Sequence, residues 1–195
     1  KAIDDADRIN ELSIQLGLST EKLSAYGYAA QQTGTDLETL NPVLRKLTQN
    51  LAEAQDGGSR QSQLFKALGV DVKDAAGNMR SLDGVIDDVA DAFKNLPIGP
   101  EKTATALELL GKSGAGAIEF FSQGKQGLKD FADEAAAFNL IVSKDTANAA
   151  DQFNDELAKL GLAGKGFSML LAQELLPHLV DFSEALVDVV RDGSA

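Results

Sequence analysis

The sequence of 195 residues predicts an all-α, mainly helical chain with one small β-hairpin near residues 70–81 and a long amphipathic C-terminal helix. Three observations predict it. Apolar residues recur at steps of three and four along most of the chain, the spacing of a buried helix face. Glycine-rich joints separate these stretches. Between Val70 and Ser81 the period shortens to an alternation interrupted by Asp74, Gly77 and Asn78, which are turn residues.

The elements follow in order. Residues 2–16 form a first helix on Ile3, Ile9, Leu12 and Leu16, closed by Gly17. Ser19 or Thr20 caps a second, which carries Leu23, Tyr26 and Ala30 and stops at Gly34. Thr35 and Glu38 make a capping box for a third, bearing Leu40, Leu44, Leu47 and Leu51. Pro42 lies too deep for the first helical position, so a kink or restart is expected near Asn41. Residues 55–60 are a flexible joint, and Leu64, Phe65 and Leu68 mark a short helix ended by Gly69. A hairpin with sides of about three residues is marginal alone and must lean on neighbouring helices.

Leu82 to Leu96 is amphipathic on Leu82, Val85, Ile86, Val89 and Phe93, with Asp83, Asp87, Asp88 and Asp91 read as its solvated face. Pro97 to Pro100 is a rigid joint, and Pro100 suits the first turn of a helix through Leu110. Gly111 to Gly116 breaks that helix. Ile118, Phe120 and Phe121 mark a short buried one, and a further helix with Leu128, Phe131 and Ala135 ends near Asn139.

Ser143 can cap the last helix, in which Phe153, Leu157, Leu160, Phe167, Leu171, Leu175, Phe182, Leu186 and Val189 form one stripe. Gly161, Gly164 and Gly166 weaken its middle, and Pro177 is a possible kink. At a rise of 1.5 Å per residue, residues 143–190 would run ~70 Å, more stripe than a domain of this size can cover. The helix folds back at the glycines, or another chain covers it. The expected organisation is a helical domain over 1–140 with the embedded hairpin, and an association element over 141–191, one helix or a helix pair. The start at Lys1 inside a helical pattern, and a pattern running to Arg191, read as a piece of something longer rather than a trimmed small protein.

Composition narrows the function. Thirty acidic against 18 basic side chains give a net charge of −12, which opposes direct binding of phosphate backbones. The absence of cysteine excludes disulfides and thiolate chemistry, and a single histidine, His178, excludes multi-histidine metal centres. Gly111-Lys112-Ser113 brings a P-loop to mind, but Ala106 stands where its first glycine is required and the preceding segment reads as helix, not strand. The run from Asp71 lacks the alternate ligands and the glycine of a calcium loop, being broken by Lys73 and Ala75. His178 stands among leucines with no nucleophile motif near it, and no cleft for paired glutamates is indicated. Glu174, Asp181, Glu184 and Asp188 argue against a membrane span in residues 167–190, and an acidic polar face argues against interfacial binding. No catalytic, cofactor-binding or metal residue is predicted. The stripe from Phe153 to Val189 is the candidate site, a face for self-association or for a partner.

Several stretches, taken in order, resemble the tail tape measure proteins of long-tailed phages and prophages. They are Ile14 to Tyr26, Leu44 to Ala54, Leu64 to Val70, Ala76 to Ser81, Val85 to Phe93 and, the most telling, Ala106 to Ala115 (ALELLGKSGA). Ala149 to Leu157 and Glu174 to Pro177 continue the order, so the resemblance covers nearly the whole chain. It implies a mostly helical ruler inside the tail tube whose length sets tail length, with no catalysis in this stretch and no cofactor. The partners it implies are tail tube subunits and tail assembly chaperones. It places the protein in the virion tail, and in the host bacterial cytoplasm during assembly. Pro42 and the glycines at 161, 164 and 166 depart from a continuous rod. A helical ruler fits the residues: fixed rise per residue, an apolar stripe for homo-oligomeric or partner contacts, and a charge repelling the genome. The rival readings are a helical scaffold or adaptor unrelated to phage and, more distantly, a toxin acting on membranes.

Overall fold

Helix ends in this chain are written in its small polar residues and glycines, and a computed structural model shows how they are used. It describes the backbone of residues 2–192 and the side chains of residues 5–169 and 173. The helices are α1 (Ala2–Leu16), α2 (Thr20–Gln32), α3 (Leu37–Glu53), α4 (Arg60–Ala67), α5 (Leu82–Asn95), α6 (Pro100–Leu110), α7 (Ile118–Ser122), α8 (Gly124–Ala137) and α9 (Lys144–Asp192), with a 3-10 turn at Lys112–Ala117. Ser19, Ser59 and Ser81 cap α2, α4 and α5 by accepting from the third residue on, satisfying a donor that would otherwise lack a partner. At the other ends, Leu18 N–H reaches Ser13 O past Gly17, and Val70 N–H reaches Phe65 O past Gly69. Both glycines have positive φ, which makes the reversal possible. Asn139, at φ 56°, does the same for α8, with Leu140 N–H on Ala135 O.

Two boundary expectations change. The cap of α3 is Asp36, not Thr35: its carboxylate accepts from Thr39 N–H at 2.7 Å. And α3 runs through Pro42 without restarting. Only five helical residues precede this proline, so its ring meets the first turn alone, and it stands on the exposed side while Val43 and Leu44 turn inward.

The expected hairpin at residues 70–81 is absent. The all-α class stands, but no β-strand forms among the described residues, and Lys73 and Met79 make one isolated antiparallel bridge. The physical reason is local. Asp74 turns its carboxylate onto Ala76 N–H and Asn78 N–H, at 2.9 and 2.8 Å, which closes a tight loop after a single bridge. Val70, Val72 and Met79 then pack on the helical core instead of extending a ladder.

The chain divides into two units, Lys1–Ala150 and Asp151–Ala195. In the first, α3 buries Leu40, Val43, Leu44, Leu47 and Leu51, a helical stripe, beside α6 and the 3-10 turn. Phe65, Phe93, Phe120 and Phe121 are fully buried in the same core. Phe120 meets Phe121 edge-on at 5.1 Å and Tyr26 at 5.8 Å, the preferred aromatic geometry. Gly114 lets the turn lie on α6, since a Cβ there would stand 2.3 Å from Ala106 O. The second unit holds the remainder of α9.

Candidate partner-binding face

The long helix starts where Ser143 permits it. Its hydroxyl accepts from Thr146 N–H at 3.2 Å, and Asp145 sits in the positive first turn. The sequence allows a fold-back at the glycines, yet α9 continues through them for 49 residues. Gly161, Gly164 and Gly166 have no neighbouring atom within 4 Å of a Cβ position.

Within the second unit, Phe153, Leu157, Leu160 and Phe167 are 49%, 50%, 69% and 64% exposed. At about 100° per residue these four fall within an arc of roughly 80°, so they share a face. Leu162 and Met169, also exposed, lie on the opposite side and were not part of the predicted stripe. Glu156 and Lys159 pair at 2.7 Å beside it. The side chains of Leu171, Leu175, Phe182, Leu186 and Val189, and of His178, lie outside the described residues. A row of large apolar side chains in water is what a partner surface offers, because each one loses contact with water on association.

The first unit contains a polar array that composition alone conceals. Of the four aspartates of α5, Asp91 is exposed, whereas Asp83, Asp87 and Asp88 are half-buried against partners from other segments. Asp83 accepts the Tyr26 hydroxyl at 2.8 Å and pairs with Lys22 at 3.1 Å. Asp87 faces the Lys125 ammonium at 3.7 Å. Asp91 accepts Lys125 N–H at 2.8 Å, taking a donor at the start of α8. Asp88 pairs with Arg80 at 2.5 Å, and Arg80 also donates to Asp71 O and Gly84 O. Burial raises the Tyr26 hydroxyl pKa far above the ordinary value, reinforced by the Asp83 charge. Burial also holds the Asp87 carboxyl above its usual range, against the pull of Lys22. A cavity of about 200 Å³ between these groups is lined by Lys22, Tyr26, Asp87, Lys125 and Lys129, among others. Because each aspartate already engages a nearby donor, the array ties α2, α5 and α8 together. The 83, 87, 91 spacing places three carboxylates on one helix face, but which cations meet them is decided by tertiary packing.

Gly111-Lys112-Ser113 ends α6 and opens the 3-10 turn, with no strand leading in. Among the described residues no group of three or more His, Asp or Glu side chains could hold a metal ion. No helix among them is long and apolar enough to cross a membrane.

Residues 10–111, slightly more than half of the chain, match the sequence profile of a family described as phage-related minor tail protein. The match runs from within α1 to the end of α6. A phosphoglycerate kinase of Coxiella burnetii (strain RSA 493 / Nine Mile phase I) is 25% identical over 191 residues, covering 89% of this chain and 46% of its own length. The chain thus spans about half the length of that curated relative, and at this identity the likeness carries no activity across. No solved structure matches.

Proposed function

This chain belongs to the phage-related minor tail protein family, and from that premise we propose that it is a tape measure segment, a helical ruler inside the tail tube. A structural role in a phage tail follows from the family; the ruler is the finer reading. The observation that carries it is α9, 49 residues of helix with Phe153, Leu157, Leu160 and Phe167 turned outward. A helix converts residue count into distance at a fixed rise of about 1.5 Å, which is the property that a ruler requires. The outward stripe gives it something to lie against: further copies of the chain, tail tube subunits during tube growth, and assembly chaperones before it. In this reading the chain performs no catalysis, acts in the virion tail and passes through the host cytoplasm during assembly.

The test is genetic and geometric. Duplicating residues 144–192 in frame in the gene of the phage that carries it adds 49 helical residues, or ~70 Å at 1.5 Å each. Tails measured by electron microscopy are expected to lengthen by that amount. Infective virions with tails of unchanged length overturn the ruler while leaving membership of the family intact.

A further inference from the structure

The connector between α8 and α9 is fastened in an unusual way. Val142 N–H donates to Ser24 Oγ at 3.1 Å, and Lys144 N–H donates to Glu21 Oε1 at 2.9 Å. Glu21 and Ser24 are three residues apart, so both acceptors project from one side of α2. The Ser24 hydroxyl proton is spent on Thr20 O at 2.7 Å, which leaves its lone pairs for the connector. The two bonds thus span 118 and 123 residues of sequence.

The apolar seal beneath this clasp is thin. In the first two turns of α9 the buried apolar residues are Ala147 and Ala150, each a single methyl group. Alongside lies a cavity of about 420 Å³ whose walls include Ile14, Thr20, Glu21, Lys144 and Asn148. Thr20 is nearly fully buried there. The joint is therefore polar and loosely filled, whereas α5 buries Val85, Ile86, Val89 and Phe93 completely. Segments with few buried apolar contacts open at much lower free energy than the core.

We infer that Glu21 and Ser24 form a releasable clasp, and that the root of α9, residues 142–150, detaches from α2 without unfolding the rest of the first unit. Its use rests on the proposed role of α9 as the partner-bearing helix: release lets a partner draw the helix away from α2 while the folded unit stays intact. The clasp itself does not depend on that role. The Glu21 carboxyl is held below its usual range, first by its own backbone N–H and then by that of Lys144, in keeping with its place as acceptor.

Native-state hydrogen exchange on the full chain tests it. Amides 142–150 are expected to exchange with little dependence on denaturant and well before amides 85–93 of α5. Ser24→Ala and Glu21→Ala should each speed exchange at 142–150 about three- to tenfold, the loss of one hydrogen bond, with α5 unchanged. Glu21→Gln, which keeps an acceptor, should do less. Exchange of 142–150 together with α5, or insensitivity to both alanine variants, overturns the clasp. An acceleration in α5 as large as that at 142–150 overturns it too. Tail length is untouched by these readouts, so clasp and ruler can fail separately.

Discussion

The Tyr26 hydroxyl donates to Asp83 at 2.8 Å across 57 residues of sequence, joining α2 to α5 at the edge of the aromatic core. Tyr26→Phe keeps the ring against Phe120 and removes the bond to a charged acceptor. Because Lys22 still faces Asp83, the expected loss is about 1 kcal/mol. Urea unfolding should show a lower midpoint with an unchanged slope.

Two glycines predict opposite outcomes for the same substitution. Gly114→Ala sets a methyl 2.3 Å from Ala106 O and 2.8 Å from Leu110 Cβ, and overpacking of this kind costs about 2 kcal/mol. Gly161→Ala meets no atom within 4 Å and should favour helix by roughly 0.5–1 kcal/mol. Thermal unfolding reads the first. Ellipticity at the helix minimum, rising for the second, reads the other.

Asp87 gives a pH dependence of known sign. Its folded pKa lies above the ordinary 3.8 because of burial, so in the window just above 3.8 the folded state holds more proton than the unfolded one. Its contribution to stability therefore falls as pH rises through that window. Asp87→Asn removes the titration, and the variant should gain on the parent as pH is raised from about 3.8 towards neutrality. A difference in urea midpoint that stays flat, or shrinks, contradicts the burial account.

Much of this fold was legible because its signals are local. Ser19 before α2, Pro100 at the start of α6 and Asn139 after α8 act within a turn of their own position, and the stripe from Leu40 to Leu51 needs nothing beyond helical spacing. The hairpin was misread because Val70, Val72 and Met79 alternate like strand residues, whereas their destination is a helical core and Asp74 closes the loop by itself. Spacing alone assigns the aspartates of α5 to its polar face, where Asp91 stays exposed, but it does not show that Lys22, Tyr26, Arg80 and Lys125 reach them from other segments and leave Asp83, Asp87 and Asp88 half-buried. Pro42 stands only five residues into α3, so its ring meets the first turn alone and the helix does not restart. On α9, helical spacing puts Phe153, Leu157, Leu160 and Phe167 on one face, but following that face alone passes over Leu162 and Met169, which are exposed on the far side.

The central claim is that the outward face of α9 lies against a companion. Sedimentation equilibrium of the chain over a range of concentrations tests it most directly. The account predicts a mass well above the 20.5 kDa of one chain, returning to that value in Leu157→Asp and Leu160→Asp variants whose helix content is intact. A parent that stays at the mass of one chain at every concentration, with no tail protein that binds α9, would contradict it.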